Sequence, residues 1–185
     1  GHAPSDAVLS ASQQLRDRPE KESVARVLVV LSDGLNNASV ASLGSAIDAA
    51  QEAEVTIYAT STNYTASSSQ AAMDTQIAFD VQNGNSNLRQ LAEQTGGLVL
   101  HPRSPNDVTK AFEKIGQELR SRYAVSYKPA NFAPDGHFRT INIEAHTGGR
   151  KLRVRARKGY YPRPKSQFPP APPSPRQSPT PPEAT

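Results

Sequence analysis

Arg26-Val27-Leu28-Val29-Val30-Leu31-Ser32-Asp33-Gly34-Leu35-Asn36-Asn37 decides how this chain folds. Val27–Leu31 is a continuous apolar run of β-favouring residues with no polar alternation. Such a strand is expected to be buried on both faces, as in a parallel sheet with helices on each side. The run ends sharply at Ser32-Asp33-Gly34, residues suited to a turn with an Asp cap. Ligands of open α/β sheets bind outside the carboxyl ends of the strands, so this turn is the first place to look for a site.

Working outward, Pro4–Asp17 carries Val8, Ala11 and Leu15 at helical spacing, and Pro19 with Glu20-Lys21-Glu22 closes it. On the other side, Val40–Glu54 predicts a helix with Val40, Leu43, Ile47 and Ala50 on one stripe and Ser39 as its cap. Val55–Ala59 reads as a second strand. Between Thr60 and Asn87 the pattern is weak: a polar loop over Thr62–Ser69, a turn or two of helix within Gln70–Val81, and a break at Asn83-Gly84-Asn85. Leu88, Leu91 and Ala92 mark a helix stopped by Gly96-Gly97, and Leu98–Leu100 is a short third strand. Ser104-Pro105-Asn106-Asp107 starts a further helix, with Val108, Ala111, Phe112, Ile115 and Leu119 as its buried face. Alternating helices and strands imply a parallel sheet with right-handed crossovers.

The period changes after Arg122. Tyr123, Val125 and Tyr127 alternate with small residues; Ile141, Ile143 and Ala145 alternate with polar ones; Leu152, Val154 and Ala156 alternate with arginines. Period two predicts half-buried strands, and Asp135-Gly136 and Gly148-Gly149 sit between them as turns, so an antiparallel three-strand meander is expected. Ten of the 16 prolines lie between Pro162 and Pro182, a tail that is expected to be disordered or polyproline-like. The organisation read from the 185 residues is therefore an α/β part over 1–122, an antiparallel β extension over 123–161 and a proline-rich tail over 162–185.

Composition narrows the chemistry. Without cysteine there is no disulfide scaffold, thiolate metal site or cysteine nucleophile, and the redox compartment stays open. No stretch approaches the roughly 20 apolar residues of a membrane span. Gly1-His2-Ala3-Pro4 has no basic region followed by an apolar stretch, so no targeting signal is expected here. The four histidines are scattered, and no zinc-protease, nucleophile-elbow, dinucleotide or P-loop pattern occurs, so an enzyme is not expected. Asn37-Ala38-Ser39 and Asn63-Tyr64-Thr65 match the glycosylation acceptor triplet, a pattern that also arises by chance. The net charge of +4 is concentrated: Arg150–Lys165 holds eight Lys/Arg and no acid, with Arg153, Arg155 and Arg157 on one expected strand face and Lys158 after them. That stripe suits an anionic polymer or surface, though charge on an outer strand face also serves to discourage edge pairing. No RNA-binding signature accompanies it, so no specific nucleic-acid partner is expected.

Arg26–Asn37 (RVLVVLSDGLNN), Val55–Ala59 (VTIYA), Leu88–Gly97 (LRQLAEQTGG) and Ala111–Tyr127 (AFEKIGQELRSRYAVSY) together resemble a von Willebrand factor type A domain. With Asp135–Tyr161 (DGHFRTINIEAHTGGRKLRVRARKGYY) they resemble more particularly the bacterial VWFA-related proteins, and the likeness covers nearly all of the chain before the tail. The resemblance implies a doubly wound sheet with a metal-ion-dependent adhesion site. There a D-x-S-x-S loop, a threonine and an aspartate after the fourth strand hold a divalent ion such as Mg²⁺. Only the last element maps here, onto Asp33, with Ser32 and Asn36 as candidate neighbours. No D-x-S-x-S occurs, and His2 stands where the threonine loop would fall, so the chain resembles the carboxyl-terminal part of such a domain. One carboxylate does not satisfy a cation that takes about six oxygen ligands, and no cofactor is expected in this chain alone.

The resemblance thus implies a non-catalytic adhesion module with an incomplete metal site, a protein partner and an extracytoplasmic setting. The rival is metal-independent binding of an anionic polymer through Arg150–Lys165. In the family's strand order another strand lies beside Val27–Leu31, so this run is also expected to offer an edge for self-association.

Overall fold

The computed structural model describes residues 3–18, 24–63, 75–127, 129, 133 and 135–162. The expected loop over Thr62–Ser69 falls largely outside these residues, as does the proline-rich tail beyond Pro162, which is itself buried.

The fold is mixed α/β. Its elements run α1 (Pro4–Asp17), β1 (Arg26–Ser32), α2 (Leu43–Glu52), β2 (Val55–Ser61), α3 (Thr75–Thr95), β3 (Val99–Leu100) and α4 (Asp107–Arg120). The three strands form one parallel sheet in the order β1-β2-β3, with Arg26 opposite Val55 and Ser32 opposite Ser61. Because each crossover joins adjacent parallel strands with the same hand, α2 and α3 lie on one face. There Val8, Ala46, Ala50, Ala53, Val55, Ile57 and Leu91 form the main core, with Leu28 and Val30 against it. On the opposite face Ile115 of α4 packs with Tyr58 and Leu98, and Val27 joins them. Every residue of β2 is buried, as expected for the central strand.

Several expectations are corrected. β1 is not buried on both faces: Val27 packs against the cluster of Tyr58, Leu98 and Ile115, but on the same face Val29 is 41% and Leu31 52% exposed. The second helix starts at Leu43, and its cap is Ser42, whose hydroxyl accepts from the Ser45 N–H at 3.0 Å. Ser39 is diverted to Asn36, and Val40 is almost wholly exposed because Asp6 of α1 takes the N–H groups of Val40 (3.0 Å) and Ala41 (2.7 Å). The predicted break at Asn83-Gly84-Asn85 does not occur, since α3 passes straight through it. It ends as expected, with Gly96 at φ +84°. α4 begins at Asp107, whose carboxylate accepts from the Ser104 hydroxyl at 2.8 Å; Ala111 and Ile115 are buried while Phe112 and Leu119 stay exposed.

The three-strand meander is also not found. β4 (Arg139–Thr140) pairs antiparallel with β7 (Gly159–Tyr160), and β5 (Ala145–Thr147) pairs antiparallel with β6 (Arg150–Leu152) across Gly148-Gly149. Residues 123–127 form no strand, and Tyr123 and Val125 stand in solvent. Alternation sets which way side chains point, but a strand needs a backbone neighbour; among the described residues this segment has none, and its ring contact is Tyr127 edge-on against Tyr160 at 6.4 Å.

Candidate functional site

At the carboxyl end of β1 the chain reverses through Asp33 and Gly34, the latter at φ +78°. The Ser32 hydroxyl accepts from the Gly34 N–H (3.0 Å), and Asp33 Oδ1 accepts from the Leu35 N–H (3.1 Å). These are the short side-chain-to-backbone bonds that Ser and Asp make in turns. Beside them, at the end of β2, the Ser61 hydroxyl accepts from the Asn63 N–H (3.2 Å) and donates to Asn85 Oδ1 (2.9 Å).

Amides from elsewhere in the chain then close the crevice. Asn63 Nδ2 donates to the Asp33 carbonyl at 2.8 Å and to Asn85 Oδ1 at 3.3 Å; Asn87 Nδ2 donates to the Gly34 carbonyl at 3.0 Å. Gly84 lets α3 come this near, for a Cβ on Gly34 would overlap the Gly84 backbone and a Cβ on Gly84 would overlap the Asp33 carbonyl. The triplet Asn83-Gly84-Asn85 is therefore a close-packing device inside a helix. In the sequence Asn63 reads only as part of an acceptor triplet and Asn85 only as part of a helix break, and Asn87 does not read as a site residue; the glycine flanked by asparagines is a signal for Asn85 alone. On the α1 side, Asn36 Oδ1 accepts from the Ser5 N–H (3.2 Å) and the Ser39 hydroxyl. The first helical N–H groups have no partner within the helix, and Asn36 supplies one of them with its acceptor.

Asp33, Ser32 and Asn36 are thus brought together at the crevice, yet as parts of a hydrogen-bonded lining. A magnesium ion needs about six oxygens in octahedral array. Here Asp33 brings one carboxylate with Oδ1 on a backbone N–H, Ser32 Oγ serves Gly34, and the Asn36 oxygen serves two donors. Among the described residues no three His, Cys, Asp or Glu side chains converge. This donor set does not fit the adhesion-site ion.

The basic stripe is not a strand face, since β6 ends at Leu152 and residues 153–157 form no strand. Arg155 makes an ion pair with Glu118 of α4. Arg157 Nη1 lies 3.1 Å from Glu54 Oε1, and its guanidinium carbon lies 6.0 Å from the centre of the Tyr160 ring. Lys158 contributes its backbone, donating to the Gln94 carbonyl (3.2 Å) and accepting from the Ile141 N–H (2.8 Å). Tyr161 Oη donates to Asp48 Oδ1 at 3.1 Å. Arg153, Arg155, Arg157 and Lys158 therefore do not form one row of solvated cations; two of the three arginines clamp the extension onto the α/β layer. Further out, Asp135 pairs with Arg139 at 2.7 Å, and that guanidinium, with the His137 N–H, holds its carboxyl down at about 2.

Among the described residues no helix is long and apolar enough to cross a membrane. No family model, no curated protein and no solved structure matches the chain.

Proposed function

We propose that this chain is a non-catalytic protein-binding module of the VWFA-related kind, acting outside the cytoplasm and engaging its partner without a divalent ion. The fold class agrees with that reading as far as a parallel sheet in sequential order with a turn at the carboxyl end of β1. The doubly wound arrangement of the full family belongs to the proposal. One observation carries the metal-independent form: the Asp33 turn is closed by Asn63, Asn87 and the Gly34–Gly84 contact. An adhesion site that recruits an acidic ligand through an ion must keep carboxylate and hydroxyl oxygens open to it. Here Asp33 Oδ1 and Ser32 Oγ accept from the backbone N–H groups of Leu35 and Gly34.

The anionic-polymer reading is weakened by Arg155–Glu118 and Arg157–Glu54, because neutralised cations release few counterions on binding. The test is to display the chain to extracytoplasmic proteins of its source in magnesium, in a chelator and in high salt. Two variants accompany it: Asp33→Ala, and Arg153, Arg155 and Arg157 all changed to Gln. A partner retained in chelator and high salt, and by both variants, supports the proposal. Capture that needs magnesium and Asp33 restores the adhesion-site mechanism instead. Binding to a polyanion that collapses with salt and with the arginine variant establishes the rival.

A further inference from the structure

The carboxyl ends of β2 and β3 carry a group of hydrogen-bond donors without acceptors among the described residues. The register pairs Ala59 with Val99 and Thr60 with Leu100, and one step on it sets His101 beside Ser61. Leu98 and Leu100 share the α4 face with Tyr58, so alternation sends Ser61 and His101 to the face under α3. There the Ser61 hydroxyl meets Asn85 at 2.9 Å, and Arg89 follows Asn85 by one turn of the same helix. Asn85 Oδ1 already takes two donors, from Ser61 and Asn63, and Ser61 Oγ accepts from the Asn63 N–H. The acceptors of α3 and β2 at this point are therefore spent, while Asn85 Nδ2 and the Arg89 guanidinium have no acceptor among the described residues. Partial burial first, and then the charge of Arg89, hold the His101 imidazole below its ordinary value. At neutral pH it is an uncharged ring that offers an N–H. Arg89, His101 and Arg103 are all exposed, and Asp107, the one acid between His101 and Asp107, is taken by Ser104 at 2.8 Å and Lys110 at 3.1 Å.

Three donor groups around one full positive charge select the ligand. A carboxylate brings one negative charge and two coplanar oxygens, the geometry that a guanidinium binds with two parallel hydrogen bonds. A phosphate brings nearly two charges to the single cation between Asn85 and His101, and a polyanion needs cations in a row. We infer that Arg89, His101 and Asn85 form a carboxylate-binding site for an acidic side chain of a protein partner, seated at the carboxyl ends of β2 and β3. The site rests on the reading of this chain as an ion-independent binding module, and it names what that module grips. Ligands of open α/β sheets bind at this end of the strands. Asn63 joins the site to the Asp33 turn, since its amide bonds both Asn85 Oδ1 and the Asp33 carbonyl. Arg155 and Arg157 differ in kind, because each already holds a carboxylate of the α/β layer.

The test on the full chain uses a glycine-serine peptide carrying two aspartates, its asparagine counterpart and its phosphoserine counterpart, in chelator and in magnesium, read by nuclear magnetic resonance. The aspartate peptide is expected to bind in chelator, to move the Asn85, Arg89 and His101 signals, and to exceed the asparagine peptide in affinity by about tenfold, the worth of one charge-assisted pair. Arg89→Gln should cost about tenfold, Arg89→Lys most of that, and His101→Ala about threefold. Lys114→Gln removes the same charge from α4 and should change affinity less than about twofold. These positions are exposed, so circular dichroism should not change. No binding at about 1 mM peptide, equal binding of the asparagine peptide, tighter binding of the phosphoserine peptide, or an equal loss in Lys114→Gln overturns the inference. A partner captured without magnesium and kept by Arg89→Gln sinks this site and leaves the function above standing. Aspartate binding that appears only in magnesium and vanishes with Asp33→Ala removes the reading on which the site rests.

Discussion

The α/β layer and the carboxyl-terminal extension are held together by different forces. In the layer, β2 is buried along its length and Ile57, Leu88, Leu91 and Val8 are nearly inaccessible to water, so apolar burial dominates. In residues 135–162 the ladders are two or three residues long, most side chains are exposed, and attachment to the layer is polar: Arg155 to Glu118, Arg157 to Glu54, Lys158 to Gln94, Tyr161 to Asp48. Exposed ion pairs are individually weak, so the extension should loosen well before the layer unfolds. The lesson is that a run of arginines has two uses, and only the positions of Glu54 and Glu118 reveal which applies.

The largest effect should come from the layer. Ile57→Ala leaves a cavity under the central strand and should lower stability by about 3 kcal/mol, read from urea unfolding; a loss under about 1 kcal/mol would mean the core is not where burial places it. Next, Gly34→Ala strains a left-handed residue and pushes on Gly84, at a cost of about 2 kcal/mol. Its exchange signature should be confined to the Asp33 turn and α3, sparing the extension.

Glu54 joins the two regions and separates their contributions. It is a non-glycine residue at φ +56° whose carboxylate holds Arg157. Glu54→Gly should relieve about 1 kcal/mol of backbone strain in the layer while releasing the extension. The midpoint of unfolding should rise as exchange at Lys158 quickens; movement of both in one direction would show that the regions are one cooperative unit. Arg155→Ala should be smaller still, about 0.5 kcal/mol, and should fade in high salt.

The last prediction concerns pH. The Asp135 carboxyl is depressed from 3.8 to about 2, first by the hydrogen bond from Arg139 and next by that from His137. A depressed folded value means the group contributes above its ordinary range and loses that contribution as pH falls from about 4 through about 2. Carbon-detected titration should place the Asp135 midpoint near the lower figure, with the 135–139 turn opening while the layer keeps its dichroism. A midpoint at the ordinary value would remove this anchor from the extension.

Much of the layer was legible because its signals are local. Val27–Leu31 and Val55–Ala59 are apolar runs, and Pro4–Asp17 is periodic at helical spacing; each identifies an element without knowledge of the rest of the chain. The helix boundary at Val40 was misread because Asp6, far away in sequence, captures its N–H. The site was half legible: Asp33 was found from its place after a strand, but its closure by Asn63, Asn85 and Asn87 depends on how α3 crosses the sheet. Alternation over 123–127 promised a strand that has no neighbour among the described residues.

Taken by itself, the order of residues determined the main helices and strands of the α/β layer and that its strands run parallel, because burial periodicity is written into neighbouring positions. Tertiary structure alone decided which face of β1 stays uncovered, what fills the crevice behind Asp33, and that Arg157 answers Glu54 across 103 positions of chain. Those outcomes rest on distances between groups remote in sequence, and such distances exist only once the layers have packed.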